Sequence, residues 1–391
     1  MLPRRLKTGC FVLEGLHSFA TTYYFYYFYF FMQTVFGFGN QANLMLAALN
    51  GAVYAILAWQ AGKFAQRFGY LTALKVGFIV MIGALAVGSQ VDSAGGQIAV
   101  MAVTVVGLCF TWPTLEALAS DGETPAGLQR MVGIYNLVWA ATAAIAYFTG
   151  GAMLEKFGPQ SLFYVPATIL TMQLGLTFWL EAQARQATPA TATGSPAVLP
   201  EAHPHPAAKT TMFLRLAWLA NPFAYIAMNT VLAVIPGVAQ RLELSTMMAG
   251  FCCSVWCFAR LGAFFVLWRW NGWHYRFRWL LASYVALVGT FATILMAPNV
   301  AVLVLAQIVF GSVVGLIYYS SLFYSMDLGD TKCEHGGIHE SAIGLGNFAG
   351  PAVGAASLYF LPQYANSGAL AVSGLLLLGL GGLLAIWRKG T

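Results

Sequence analysis

Charge is what this sequence has least of. Only 8% of its 391 residues are Asp, Glu, Lys or Arg, where soluble domains carry about 25% to keep their surfaces wetted. So few charges cannot cover a water-exposed globule of this length, which excludes a soluble enzyme, a nucleic-acid binder and a disordered chain. Paired cysteines are also lacking: Cys10, Cys109, Cys252, Cys253, Cys257 and Cys333 show no CxxC spacing. They fall in apolar runs or in loops expected in the cytoplasm, and read as small packing residues rather than disulfides or metal ligands. The sequence offers no phosphate-binding loop, no metal-ligand cluster and no nucleophile–base constellation. Neither a cofactor, a metal nor enzymatic chemistry is therefore expected. A cleavable leader is not expected either, because Arg4, Arg5 and Lys7 open directly into a full-length apolar run.

Apolar side chains fill the space that charge leaves. The chain is 59% hydrophobic and 15% aromatic, with a mean hydropathy of +0.71, so its solvent is lipid. Crossing the hydrocarbon core takes about 20 apolar residues. Twelve such runs are legible, near 10–36, 43–64, 71–91, 97–119, 128–153, 159–181, 213–239, 246–268, 278–297, 301–325, 339–361 and 367–387. The fold class is thus an all-α integral membrane protein of twelve transmembrane helices. The net charge of +6 belongs to loops, since Lys and Arg concentrate on the cytoplasmic side of membrane proteins. With both termini inside, sixteen of the nineteen Lys and Arg residues fall on that side, Lys156 and Arg241 fall outside, and Arg260 lies within a span. The expected location is a plasma membrane of the bacterial inner-membrane kind. The partners are membrane lipids, a small-molecule substrate and a proton or other coupling ion, with no nucleic acid, and the chain is expected to be a monomer.

Between spans six and seven, the segment PATATGSPAVLPEAHPHPAAK is rich in Ala, Pro and Thr and cannot build a core. It divides the chain into a half at 1–181, a cytoplasmic linker at 182–211 and a half at 212–391. His203 and His205 within it read as plain linker. The halves resemble each other: residues 133–154 align without a gap with 337–358, matching Gly133 with Gly337, Ile134 with Ile338, Gly150 with Gly354 and Leu154 with Leu358. Val105-Val106-Gly107-Leu108 likewise matches Val313-Val314-Gly315-Leu316, and Arg67–Tyr70 resembles Arg269–Trp273.

Two like halves of six spans joined by a long loop resemble the major facilitator superfamily. The most specific match is Gly62–Tyr70, where Gly62, Arg67 and Gly69 fit that family's signature between spans two and three and Gln66 stands at its acidic position. The segment Gly346–Gly354 resembles the family's antiporter-type GxxxGPxxG pattern, which normally marks span five, where this chain has Gly150-Gly151. The resemblance implies two pseudo-symmetric bundles that rock about a midplane site and expose it to each side in turn. It assigns gating to Gly62, Arg67 and Gly69; Glu116, a shallow charge near the cytoplasmic end of span four, is a gating candidate by its position. Gly346, Gly350 and Gly354, at small-x-x-x-small spacing, would let helix backbones approach and slide.

A charge inside the membrane is a functional hypothesis by default, and four stand within the spans: Glu14, Glu116, Arg260 and Glu340. Glu14 and His17 are three apart on one helix and hence neighbours; a carboxylate–imidazole pair can share a proton near neutral pH. Glu14, His17 and Glu340 are therefore the candidates for proton coupling, with His339 beside Glu340. Arg260 could hold an anionic group or pair with Glu340. Span one carries an aromatic run through its middle, with Tyr23, Tyr27 and Phe30 on one face and Tyr26 beside them. Spans four, seven and ten line the cavity in the resembled family, which nominates Trp112, Asn221, Tyr225, Asn229, Gln307, Tyr318 and Tyr319. Asn50, Asn136, Trp256 and Asn347 are further lining candidates, and Pro113, Pro222 and Pro236 could kink their helices near the site. The expected substrate is an uncharged or singly charged organic solute, moved by a proton-coupled secondary transporter. A multidrug-type exporter and a non-transporting sensor of the same fold are the rival readings.

Overall fold

The computed structural model describes residues 4–120, 125–186, 207–327 and 334–390. They form thirteen helices: α1 (Arg4–Phe36), α2 (Asn40–Phe68), α3 (Tyr70–Gly88), α4 (Ala94–Ser120), α5 (Pro125–Phe157), α6 (Ser161–Gln186), α7 (Ala207–Arg241), α8 (Thr246–Cys253), α9 (Val255–Arg269), α10 (Phe277–Leu295), α11 (Val300–Asp327), α12 (Glu334–Phe360) and α13 (Ser367–Gly390). The shortest full spans, α3 and α10, have 19 residues and reach about 28 Å at 1.5 Å per residue, the thickness of the hydrocarbon core. Helices α8 and α9 make a single span, Thr246–Arg269, broken at Ser254, so the thirteen helices form the twelve expected spans. Lys332, Cys333, His203 and His205 lie outside the described residues, as does the side chain of His339.

Ten of the spans are long and apolar enough to cross a membrane by composition alone. The other two, α1 and α12, are diluted by polar side chains, and these are the helices that carry Glu14, His17 and Glu340. Large apolar side chains such as Ile56, Leu305, Phe360 and Leu378 face outward, as a lipid-facing surface requires.

Within the first half α3 packs on α4, and α1 on α5 and α6. Within the second, α9 packs on α11, and α7 on α12 and α13. Gly9 meets Leu180, and Gly390 meets Met212, so the outer ends of both halves' chains gather at one end of the bundle, called here the terminal end. The halves join along α2–α12 and along α5 against α8 and α9. The α2–α12 seam is close: a Cβ on Gly51 would overlap the Phe348 amide nitrogen, and one on Gly344 would lie 2.6 Å from the Ala55 Cα. These two glycines, rather than the whole Gly346–Gly354 series, set the α2–α12 seam. Gly346 and Gly350 pack on Pro222 and Ile226 of α7, inside their own half, and only Gly354 reaches across, to Leu44.

Candidate functional site

Near mid-span in the second half, a small pocket is lined by Asn221, Ala224, Tyr225 and Met228 of α7, Arg260 of α9, and Val314 and Tyr318 of α11. Its volume of about 10 Å³ has room for about one water molecule, so the pocket is closed on itself. Arg260 is 3% exposed. Its guanidinium carbon lies 4.5 Å from the ring centre of Trp139, on α5 of the opposite half, and 4.7 Å from that of Trp256. Nη1 points at the Met228 sulfur at 3.6 Å, while Nε and Nη2 have no hydrogen-bond partner. An arginine at this depth costs about 2.5–3.5 kcal/mol on insertion scales. Two desolvated cation–π contacts at about 2 kcal/mol each are of the size needed to hold it there. Trp256 in turn stacks on Tyr26, 6.3 Å between centres, and the Tyr26 phenol lies beside the guanidinium. Asn136 accepts a hydrogen bond from the Trp139 indole at 3.0 Å and so sets that ring against Arg260.

Toward the terminal end lies a second group. Glu116 of α4 and Glu340 of α12 are in mutual hydrogen-bond contact across the two halves, and the Tyr54 hydroxyl of α2 donates to Glu340 Oε2. Glu14 lies near Glu116 and Tyr135, with both carboxyl oxygens buried and unpartnered. Tyr225 and Tyr318 lie within electrostatic reach of Arg260, Glu340 and Glu116 alike, with their rings 6.4 Å apart.

Two expected pairings are not formed. Arg260 makes no ion pair with Glu340, whose carboxyl is engaged by Tyr54 and Glu116 instead. Glu14 and His17 share no hydrogen bond, although neighbours on α1. His17 Nε2 bonds instead to the Thr111 hydroxyl at 2.9 Å, beside Phe78 and Trp112.

The remaining candidates separate by position. Tyr225, Tyr318 and Asn221 line the pocket; Trp112 and Asn136 back it through Trp139. Tyr23 is hydrogen-bonded to Ser161 at 2.7 Å and Tyr27 donates to the Tyr147 carbonyl, so both phenols are engaged in helix packing and neither lines the pocket. Asn229 donates to Asn347 and to the Tyr225 carbonyl, pairing α7 with α12. Gln307 donates to the Cys252 carbonyl at 3.0 Å, and Tyr319 packs on Phe264 and Trp273. Gly62 has open space around it, while Gly69 makes the turn between α2 and α3 at a φ of +94°, a conformation that favours glycine. Arg67 is exposed at the terminal end of α2.

Trp139, Met228, Tyr54 and Tyr135 were not nominated by the sequence. Trp139 and Tyr54 carried one usable signal, an amphipathic aromatic in the middle of a span rather than at its ends, where such rings normally gather.

The overall fold recurs in solved structures. The nucleoside transporter NupG has a TM-score of 0.69 at 12% identity, over 98% of this chain and 99% of that one. The human organic anion transporter MFSD10 (TETRAN) has 0.69 at 15%, over 98% and 100%. An auto-inhibited POT family peptide transporter has 0.71 at 13%, over 98% and 97%. At these identities the likeness establishes the fold. By sequence, no curated protein matches. The profile that does match is that of the Major Facilitator Superfamily, over residues 10–351. That stretch runs from the first span into the eleventh and takes in every ionisable residue of the site, and the chain belongs to this transporter superfamily.

Proposed function

We propose that the chain is a secondary active transporter that moves a small organic solute by alternating access, driven by protons. One juxtaposition carries the reading. A buried guanidinium lies on a small pocket of the second half and against Trp139 of the first, in the same electrostatic neighbourhood as a carboxyl pair that joins the two halves. A hydrogen bond between two carboxyl groups needs a proton on one of them, so Glu116 and Glu340 can hold the halves together only while they keep a proton. Giving that proton up replaces a bond across the seam by repulsion. Arg260 binds the solute; Tyr225, Tyr318 and Asn221 line its site; Glu14, Glu116 and Glu340 carry the proton. The rocking bodies are residues 1–181 and 212–391, with 182–211 as the linker between them. The bias of Lys and Arg in the sequence supports a cytoplasmic terminal end.

Flux into proteoliposomes, with and without an imposed pH gradient, tests the reading. Accumulation should follow the gradient and saturate for one solute. Arg260→Ala should weaken apparent affinity at least about 30-fold, the equivalent of a charged hydrogen-bonded pair at about 2 kcal/mol or more, with expression retained. Uptake near the parent level in this variant would sink the assignment of Arg260. Resistance to several unrelated amphiphiles, in place of saturable uptake, would instead mark an exporter.

A further inference from the structure

We infer that the central pocket takes a hydroxylated monocarboxylate, with its carboxylate on the free edge of Arg260 and its hydroxyl on Asn221. This deepens the transport reading above and rests on it. The argument starts from what the guanidinium has left to offer. Nη1 is turned to the Met228 sulfur and two indole rings lie within 5 Å. The Tyr26 phenol lies close beside the guanidinium as a side-chain hydrogen-bonding neighbour, and Nε and Nη2 still have no partner in good geometry. What remains is the Nε–Nη2 edge, buried and unpartnered. Two parallel N–H donors on one rigid edge match the two oxygens of a single carboxylate.

The second orphan in the pocket is Asn221, 1% exposed, with neither Oδ1 nor Nδ2 hydrogen-bonded. An amide left with both a donor and an acceptor is satisfied by a group that both accepts and donates, which a hydroxyl does and a bare hydrocarbon does not. Buried polar groups are normally paired, so two unpaired side chains lining one pocket describe the ligand they lack.

Charge narrows the class further. Arg260 is the one cation among the lining residues, and Glu340 and Glu116 lie within electrostatic reach of the lining Tyr225 and Tyr318. A second negative charge on the ligand, as in a dicarboxylate or a phosphate ester, meets no second cation. An α-amino acid would bring an ammonium group beside the guanidinium with no carboxylate in the pocket wall to receive it. The remaining wall, Ala224, Met228 and Val314, is apolar and suits a short carbon chain.

The test uses the purified full-length chain, with binding read by calorimetry and thermal shift against five probes. They are lactate and gluconate, propionate, which lacks the hydroxyl, malate, which adds a charge, and lactamide, which removes it. Lactate or gluconate should bind, propionate about tenfold more weakly for the lost hydroxyl, and malate and lactamide not measurably. Arg260→Lys keeps the charge but not the two-donor edge and should weaken lactate binding at least about tenfold. Asn221→Leu should bring lactate and propionate to similar affinity, a readout that general destabilisation does not produce. Lactate binding unchanged in both variants would overturn the proposal. So would gradient-driven flux of an uncharged solute with no monocarboxylate binding, which leaves the transport reading standing. Lactate binding without saturable flux overturns transport and keeps the site.

Discussion

Arg260 is held by two indoles and a sulfur, with no carboxylate in contact, and this is unusual for a charge at mid-span. A structural arginine in a bundle is normally paired or bonded to backbone carbonyls. Here rings and a sulfur cover most of the guanidinium, with the Tyr26 phenol beside it, and Nε and Nη2 have no hydrogen-bond partner in good geometry. The carboxyls nearby are arranged differently, with Glu116 and Glu340 bonded to each other and to Tyr54. Glu340→Gln keeps a hydrogen-bonding side chain at that place but removes its exchangeable proton. In proteoliposomes this variant should continue solute exchange while pH-driven accumulation falls to the level seen without a gradient. Retained accumulation would remove Glu340 from the coupling. His17 lies in a separate environment against Thr111, so His17→Gln should leave the response to the gradient intact.

At the scale of elements, the α2–α12 seam is the contact on which movement of the halves depends. Glycine is needed there for space rather than for backbone conformation. Gly51→Val would drive its Cβ into the Phe348 amide and wedge the two helices apart. The expected outcome is a folded protein with uptake lost, and with increased distances between spin labels on α2 and α12. Gly62→Ala on the same helix meets nothing within 4 Å and should be neutral or stabilising by up to about 1 kcal/mol. Gly69→Ala puts a side chain at a φ of +94° and should cost about 1–3 kcal/mol. Thermal unfolding in detergent separates these two cases, although the sequence signature gives both glycines the same standing.

For the whole molecule, contacts close the end opposite the termini as well as the pocket. Gln33 on α1 donates to Gln240 on α7 at 3.1 Å, and Glu155 on α5 accepts from the Met247 amide at 2.8 Å. An alternating-access cycle must break these contacts to open that end. With cysteines at positions 33 and 240, a short bifunctional thiol reagent should abolish transport, and a reductant-cleavable version should restore it on reduction. Undiminished flux in the cross-linked protein would mean that this end does not open.

The number of spans, the twofold repeat and the short list of charged residues were legible in the sequence. Each depends on local chemistry: the length of an apolar run, the spacing of glycines and the cost of a charge in lipid. What could not be read was which neighbour each polar residue chose. Glu14 and His17 share a helix and part company because α4 offers one of them Thr111. Tyr26, rather than Tyr23 or Tyr27, reaches Arg260, because a rotation of about 100° per residue is resolved only when the opposing helices are in place. Trp139 and Trp256 come from spans in different halves, and only the closing of the bundle brings them to the same guanidinium. The sequence alone determined that the protein resides in lipid and carries few charges there. The tertiary structure decided which charge is left without a partner, since pairing depends on distances between helices far apart along the chain.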